Sequence, residues 1–376
     1  MTLADDASFM TRALFLAARG RPSPNPHVGA VIVRGGKIIG EGYHRQAGKD
    51  HAEVEAIKAV YRKHGQAKAR SLLAGSTIYV SLEPCSHFGR VPPCTDAILR
   101  EKIGTVVFAM KDPNPRVKGN GEKVLRKRKV AVRRIAGKVG EALEAQALEL
   151  NRAFAKQVRT GLPYVTLKMA MTLDGKVATR TGDSKWVGGP EELRMVQHLR
   201  NQVGAVMVGA GTVIRDNPRL TCRLKGGHSP LRVIVDGKLR IPLNFKVLKD
   251  RNALVAAGPA PDQNKVRALG QRGIEVLRCP FRTPRHVLLS HLLRHLASKG
   301  IDRVLCEGGP ELNARLLEEN LVDELLFSVS PKMVGGQNAP GPVGGEGIAR
   351  MGQARKARIV SVVPLGDDWM IRALLD

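Results

Sequence analysis

Predicted strands and helices alternate along this chain, and the alternation stops once and then restarts. Residues 7–19 carry apolar side chains at helical spacing, and short apolar strands are predicted over 28–33 and 38–42. Gly35 and Gly36 separate these strands, which predicts a hairpin with a tight turn. Such alternation is typical of an α/β domain in which helices cover a sheet.

The first run of elements ends in a charged helical stretch. Its remaining predicted elements are a helix over 52–63, a strand over 77–81, a helix after Pro93 and a strand over 105–109. Residues 141–156 follow, and apolar positions such as Leu143 and Phe154 allow this stretch to pack against a neighbour. We interpret it as a helical connector between two domains.

Strand patterns then restart, which predicts a second α/β domain. The predicted strands cover 164–173, 205–208, 232–236, 253–257, 303–307 and 324–329. A chain of 376 residues also exceeds what one ordinary hydrophobic core covers. We therefore predict an N-terminal domain over 1–147, a connector over 148–161 and a C-terminal domain over 162–376.

The composition is that of a soluble globular protein, with 43% hydrophobic and 25% charged residues. No apolar run approaches the roughly 18 residues of a membrane helix. The N-terminal sequence lacks a basic segment followed by an apolar one, so no secretory signal is predicted. These features favour a cytoplasmic protein that does not bind membranes.

The net charge of +27 fits either a polyanionic partner or small phosphorylated substrates. The single dense basic run covers 126–129, and its apolar neighbours indicate a helix end that leads into a strand with a solvated face. Aromatic residues make up only 4% of the chain, which argues against extensive stacking on nucleic-acid bases. We therefore expect no specific nucleic-acid partner.

Five cysteines are spread along the chain, and only Cys85 and Cys94 lie close together. An odd number of dispersed cysteines argues against a disulfide framework and makes metal binding the better interpretation of this pair.

A zinc-deaminase signature surrounds those cysteines. His51-Ala52-Glu53 opens a predicted helix, and Glu83-Pro84-Cys85 follows a predicted strand. One imidazole and two thiolates leave the fourth tetrahedral position of a zinc ion open for water, whose pKa the metal lowers to about 7. We predict His51, Cys85 and Cys94 as ligands of one Zn²⁺, and Glu53 as the general acid/base.

Eight residues separate Cys85 from Cys94, instead of the two in the general signature. This insert, together with the tracts 25–31 and 40–44, resembles the deaminase of the bifunctional riboflavin-biosynthesis family of the RibD type. The resemblance implies a cytidine-deaminase-like three-layer α/β/α domain. It also implies that the deaminase substrate contacts Asn25, His44, His87 and Arg90.

The second half lacks a G-x-G-x-x-G fingerprint, so a Rossmann domain is not favoured. It resembles instead the reductase domain of the same family, in the tracts 167–176, 182–186, 209–223 and 307–312. That domain has a dihydrofolate-reductase-like α/β fold and uses NADPH. The resemblance therefore spans nearly the whole chain.

Several of these tracts suit a dinucleotide on physical grounds. Gly308 and Gly309 lie between a predicted strand and an apolar helix, where free N–H groups can receive a diphosphate. Pro310 fits the first turn of that helix. The cations Lys168, Arg200 and Arg223 could hold a phosphate and ribose.

The resemblance assigns the remaining positions of the C-terminal domain. It implies cofactor contacts at Ala170, Trp186, Thr212, Asp216, Gly237, Gly309, Pro310, Glu311, Leu312, Asn313, Ala314 and Arg315. It implies substrate contacts at Lys168, Ser184, Arg200, Leu220, Arg223 and Glu307.

The implied function is two successive steps on one phosphorylated pyrimidine, a hydrolytic deamination and an NADPH-dependent reduction of ribosyl to ribityl, in an expected homo-oligomer. One alternative is a nucleic-acid-editing deaminase, prompted by the zinc motif and the charge, but the long cysteine spacing and the reductase-like half argue against it. Another is a basic nucleic-acid-binding protein with a structural zinc, which would require a fourth protein ligand.

Overall fold

The computed structural model describes residues 2–88, 91–115, 117, 119–283 and 286–375. The chain divides into two compact units, Met1–Gly161 and Leu162–Asp376. The residues that we interpreted as a connector, 148–161, fall within the first unit.

The first unit is a mixed sheet covered by helices. Its elements are α1 (Leu3–Ala17), β1 (Gly29–Arg34), β2 (Lys37–Tyr43), α2 (Ala52–His64), α3 (Gln66–Leu73), β3 (Thr77–Leu82), α4 (Cys94–Arg100), β4 (Thr105–Met110), α5 (Asn120–Lys127), β5 (Ala131–Arg133), α6 (Gly137–Leu150) and α7 (Arg152–Thr160). The strand order is β2-β1-β3-β4-β5. β1 pairs with β2 and β3 in antiparallel fashion, whereas β3, β4 and β5 are parallel.

The predicted hairpin of β1 and β2 is confirmed, and both glycines of its turn have the positive φ angles of a type I′ turn, 54° at Gly35 and 73° at Gly36. Helix α1 begins at Leu3, earlier than the apolar spacing predicted, because Thr2 and Asp5 form a reciprocal capping box.

Two close approaches of helix to strand produce the three layers. A Cβ atom on Gly29 would lie 2.0 Å from the carbonyl oxygen of Ala13 in α1, and one on Gly42 would lie 2.3 Å from the amide of Ala56 in α2. Gly42 pairs with Ala30, the neighbour of Gly29 on β1, so the two glycines face opposite sides of the sheet. The predicted α/β/α architecture is therefore confirmed.

The second unit is built around a nine-stranded sheet. Its elements are β6 (Tyr164–Thr172), α8 (Pro190–Gln202), β7 (Ala205–Gly209), α9 (Ala210–Asp216), β8 (Leu231–Val235), β9 (Ala253–Ala257), α10 (Gln263–Gln271), β10 (Glu275–Arg278), β11 (Phe281–Thr283), β12 (His286–Val287), α11 (Leu289–Ser298), β13 (Arg303–Cys306), α12 (Pro310–Glu318), β14 (Glu324–Ser330), β15 (Ala357–Leu365) and β16 (Asp368–Leu375), with short 3₁₀ turns at Lys246–Leu248 and Met351–Gln353.

The order of this sheet is β10-β9-β8-β7-β13-β6-β14-β16-β15. The first seven strands in this order, which are β10, β9, β8, β7, β13, β6 and β14, are parallel to one another. The C-terminal hairpin of β15 and β16 pairs with β14 through β16 in antiparallel fashion. Two buried apolar clusters, one including Met207 and Leu292 and the other Val208 and Ile234, form its core. The α/β prediction for the C-terminal domain is confirmed.

The carboxyl ends of β6, β7 and β13 lie side by side at the centre of this sheet. In parallel α/β sheets, ligands bind outside the carboxyl ends of strands where the order of connection changes direction.

Among the described residues, none of the helices combines the length and the apolar character that crossing a bilayer requires.

Candidate functional site

Three element ends bring the predicted zinc ligands together in the first unit. His51 is the N-cap residue of α2, Cys85 follows the end of β3, and Cys94 is the first residue of α4. The ligand atoms of the three side chains all lie within 4.8 Å of one another. The Nδ1 atom of His51 is 3.1 Å from the Sγ atom of Cys94 and 3.5 Å from that of Cys85.

These separations fit a zinc ion. Bonds of about 2.3 Å to sulfur and about 2.0 Å to nitrogen in a tetrahedral arrangement place nitrogen and sulfur ligands about 3.5 Å apart. The pKa of the Cys85 thiol is lowered, first because the Cys94 thiol donates a hydrogen bond to it, and further by donation from His51 and from the Cys94 amide. This set supplies the thiolate and imidazole donors that zinc prefers and leaves a fourth position open.

Glu53 lies in the first turn of α2, two residues after His51, and is only 3% exposed. Burial raises the pKa of its carboxyl group, and the negative charge of Cys85 adds to the shift. A carboxyl group whose pKa is shifted toward neutrality suits both proton acceptance and proton donation. The surroundings of Glu53 therefore fit the general acid/base that the sequence predicts.

A cavity of about 330 Å³ opens onto His51, Glu53 and Cys85, and Asn25, His44 and His87 are part of its lining. His44 is buried, and burial lowers its pKa, so the ring is neutral near pH 7. Its Nδ1 atom lies 2.9 Å from the Asp50 carbonyl oxygen and must donate to it, so Nε2 accepts from Asn25 Nδ2 at 3.0 Å. Arg90, predicted as a substrate contact, lies outside the described residues.

Sequence reasoning missed part of the lining of this cavity. It includes Asp112 and Asn114, which follow the carboxyl end of β4, and Phe154 of α7. Burial is the main cause that raises the pKa of Asp112, to about 6. The position of Asp112 after a parallel strand could have indicated it, whereas nothing in the sequence indicated Phe154.

In the second unit, a cavity of about 530 Å³ lies at the carboxyl ends of β6, β7 and β13. It brings together eleven of the predicted positions, which are Lys168, Ala170, Ser184, Trp186, Thr212, Asp216, Glu307, Gly309, Pro310, Glu311 and Leu312. Glycines at the ends of β7 and β13 leave backbone exposed to a ligand, and Pro310 occupies the first turn of α12 as predicted.

Two of the three predicted cations of this unit, Lys168 and Arg200, are held in ion pairs. Lys168 pairs with Glu192 of α8, and both side chains are largely buried. The guanidinium group of Arg200 donates two hydrogen bonds of 2.7 Å to the two carboxylate oxygens of Glu307. Arg200 therefore holds Glu307 at the cavity edge, and its own contact with the substrate stays a prediction.

Other predicted positions do not line this cavity, namely Arg200, Leu220, Arg223, Gly237, Asn313, Ala314 and Arg315. Arg223 is exposed, and Leu220 packs in the apolar core. Asn313 is fully buried and donates to the Pro342 carbonyl oxygen, while Arg315 reaches the Val287 carbonyl oxygen. Conversely, Arg215 and Glu192 line the cavity although the sequence did not single them out.

The two cavities define a two-site enzyme, a zinc-type pyrimidine deaminase combined with a reductase-type α/β domain. The family model for the cytidine and deoxycytidylate deaminase zinc-binding region matches residues 3–110, and that for the RibD C-terminal domain matches residues 163–371. The chain belongs to the RibD family of bifunctional riboflavin-biosynthesis proteins, as the sequence resemblance predicted.

Full-length relatives agree with this membership. Riboflavin biosynthesis protein RibD of Actinobacillus pleuropneumoniae is 39% identical, over 97% of this chain and 94% of that protein. RibD of Aquifex aeolicus is 40% identical, over 97% of both chains. Among solved structures, RibD of Acinetobacter baumannii superposes with a TM-score of 0.85 at 34% identity over the whole of both chains. A Thermotoga maritima protein described as a diaminohydroxyphosphoribosylaminopyrimidine deaminase/5-amino-6-(5-phosphoribosylamino)uracil reductase gives 0.82 at 36% identity, over 100% of this chain and 99% of that one.

Proposed function

We propose that the first unit deaminates 2,5-diamino-6-(5-phosphoribosylamino)pyrimidin-4(3H)-one by hydrolysis. We propose further that the second unit reduces the ribosyl side chain of the resulting 5-amino-6-(5-phosphoribosylamino)uracil to ribityl with NADPH. The observation that carries the first step is the convergence of His51, Cys85 and Cys94 beside the buried Glu53, at the wall of one cavity. The substrates are those for which the Thermotoga relative is named.

In the deamination, the amino group leaves as ammonia and water supplies the oxygen of the new carbonyl group. His51, Cys85 and Cys94 would hold a zinc ion, which when bound would supply a Lewis acid that makes a water molecule acidic. Glu53 would accept the two protons of that water in turn, passing one to the ring nitrogen and the other to the amino group, which leaves as ammonia. Its burial keeps bulk water from competing for the proton.

Asn25 and His44 form the part of the deaminase cavity that orients the ring. The neutral His44 fixes the Asn25 amide through the hydrogen bond to Nε2, which leaves the Asn25 carbonyl oxygen as an acceptor. We assign Asn25, His44, His87 and Arg90 to the deaminase substrate.

In the reduction, NADPH supplies the hydride and the chain supplies binding and orientation. The N-terminus of α12 offers the backbone N–H groups of Gly309 and Glu311 for the diphosphate, on either side of Pro310, which has none. Thr212, Asp216, Ala170 and Trp186 line the same cavity and are assigned to the cofactor. Lys168, Ser184 and Glu307 are assigned to the substrate.

One assay tests both steps. The purified chain is given the phosphorylated diaminopyrimidine, and ammonia release and NADPH oxidation are followed separately. We expect ammonia release without NADPH and oxidation of NADPH only after deamination has begun. Absence of ammonia release from a zinc-loaded protein would exclude the first step.

The contacts of the basic run 126–129 favour small phosphorylated molecules over nucleic acid as the partners of this chain. Arg126 pairs with Glu122 and donates to the Val132 carbonyl oxygen, and nearby Arg133 pairs with the buried Asp6. The predicted helix end leading into a strand is confirmed, since α5 ends at Lys127 and β5 begins at Ala131. We therefore propose that binding to DNA or RNA is non-specific and fades as salt rises.

We also propose that the protein is a cytoplasmic homo-oligomer. All five cysteines are free thiols, which suits a reducing compartment.

The proposed homo-oligomer rests on an exposed sheet edge. Strand β15 is the edge of the nine-stranded sheet, and Ile359, Val362 and Val363 on it are 62%, 50% and 45% exposed. Apolar edges of this kind are normally covered. Analytical ultracentrifugation tests the oligomer, and a sedimentation coefficient of a monomer across micromolar concentrations would exclude it.

A further inference from the structure

Three backbone amides converge on the carboxylate of Glu83. Its Oε2 atom accepts from the N–H groups of Gly119 at 2.9 Å and Asp112 at 3.3 Å, and its Oε1 atom accepts from that of Glu122 at 3.1 Å. The side chain is only 4% exposed. Donors on both oxygens offset the cost of burying this carboxylate.

These donors belong to the β4–α5 segment, of which residues 111–115, 117 and 119–122 are described. Asp112, Asn114 and Val117 of this segment line the deaminase cavity. Glu83 itself stands two residues before the zinc ligand Cys85 and donates its own amide to the Met110 carbonyl oxygen at the end of β4. Glu83, which also lines the cavity, therefore connects the ligand-bearing loop with the part of the wall that Asp112, Asn114 and Val117 form.

A second contact holds the same segment in place. A Cβ atom on Gly121 would lie 1.9 Å from the carbonyl oxygen of Pro84, the residue between Glu83 and Cys85. A larger residue at position 121 would therefore push the segment away from the ligand loop. The Glu83 carboxylate and the absence of a side chain at Gly121 thus independently determine the distance between the β4–α5 segment and the ligand loop.

We propose that Glu83 is a positioning residue for deamination. Its carboxylate sets the distance between the β4–α5 segment and Cys85, and thereby the width of the cavity in which the pyrimidine lies. The effect on substrate rests on the deamination proposed above, whereas the effect on the segment does not. The two carboxylate oxygens of Glu83 accept hydrogen bonds from three backbone N–H groups. A glutamine at this position would therefore point its NH₂ group at one or more of these donors.

The test compares Glu83→Gln with the parent chain by three measurements on the zinc-loaded protein. Hydrogen exchange at the amides of Asp112, Gly119 and Glu122 should become faster by about tenfold, the equivalent of one hydrogen bond to a charged group. The KM for deamination should rise by at least about tenfold, with a smaller change in kcat. Zinc content and reductase activity should be unchanged.

Glu122→Gln is the matched control, because it changes a carboxylate of the same segment that pairs with Arg126 and accepts none of these amides. We expect it to leave exchange and KM unchanged. Gly121→Ala is the second variant, and it should reproduce the rise in KM without altering the carboxylate, even if Glu83→Gln fails to fold.

Unchanged amide exchange in Glu83→Gln would overturn the proposal. So would loss of zinc in step with activity, since Glu83 would then act on the metal site. A fall in kcat with an unchanged KM would also overturn it. If the parent chain releases no ammonia, the proposed function fails, while the exchange measurement still decides whether Glu83 holds the segment.

Discussion

The side-chain amide of Asn151 pairs with both backbone polar groups of His27. Its Oδ1 atom accepts from the His27 N–H group at 2.7 Å, and its Nδ2 atom donates to the His27 carbonyl oxygen at 3.0 Å. Asn151 stands between α6 and α7, and His27 follows the Asn25-Pro26 tract of the deaminase cavity. The stretch that the sequence suggested as a connector thus supports the deaminase site.

We expect Asn151→Asp to destabilise the first unit by about 2–4 kcal/mol. The carboxylate loses both donated hydrogen bonds and places a buried charge against the carbonyl oxygens of His27 and Ala147. Urea unfolding of the full chain, followed by deaminase activity, measures the change. Asn264→Asp, on an exposed helix start, is the control, and equal effects of the two changes would contradict this account.

Glu53→Gln should keep zinc bound and lower ammonia release by at least about a hundredfold, because the amide cannot carry the proton between water and the leaving group. Metal analysis and an ammonia assay check this. Glu55→Gln, two residues further along α2, should retain activity. Stoichiometric loss of zinc from the Glu53 variant would show that Glu53 is a ligand instead.

Cys85→Ser and Cys94→Ser should each lose zinc and deamination. The second unit should still oxidise NADPH when it is given the deaminated intermediate, because the described residues divide into two compact units and both cysteines lie in the first. Cys222→Ser, a free thiol of the second unit, is the control. Full zinc occupancy in both variants would disprove the ligand assignment.

Arg200→Ala should raise the KM of the reductase for its substrate by about a hundredfold, because it leaves the Glu307 carboxylate largely buried without its partner. The affinity for NADPH, measured by fluorescence titration, should change little. A double-mutant cycle with Glu307→Gln separates the two side chains, and additive effects would show that the pair does not act as a unit.

The pKa of Asp174 is lowered to about 2, first by the hydrogen bond from the Thr172 hydroxyl and further by the Gly335 and Val334 amides. The pKa of Asp174 in the folded protein lies below the unfolded value of 3.8. The ionised Asp174 carboxylate therefore stabilises the fold above pH 4, and this contribution to the free energy of unfolding is lost as pH falls toward 2. The difference in the free energy of unfolding between the parent chain and Asp174→Asn should therefore become smaller as pH falls from 4 to 2. A difference that stays constant with pH would contradict the lowered pKa of Asp174. Asp367→Asn is the control.

The zinc site was predictable because short motifs and element ends determine it. His51 and Glu53 lie on one helix start, and Cys85 and Cys94 follow a strand and open a helix, so the spacing already indicates convergence. The Arg200–Glu307 pair was not predictable, since 107 residues separate its members and only the folded sheet brings them together.

Rotation about a helix axis explains why some predicted cofactor positions do not line the cavity. A run of consecutive cofactor positions from Gly309 to Arg315 cannot all face one cavity, because successive helical residues point about 100° apart. Gly309 to Leu312 line the cavity, whereas Asn313 points into the core. The β15–β16 hairpin escaped prediction because β15 is exposed on both faces and lacks the alternation of a half-buried strand.

The place of β13 in the second sheet has a consequence for synthesis on the ribosome. Strands β6 and β7 flank β13 on either side, so the central gap between them stays open until residues 303–306 have left the exit tunnel. The first unit completes its own sheet once β5 has emerged, at residue 133. A nascent chain halted after residue 161 has emerged and before residue 303 should therefore carry a protease-resistant first unit. The tail that follows should be protease-sensitive, with unpaired strand edges, and should depend on chaperones until β13 emerges.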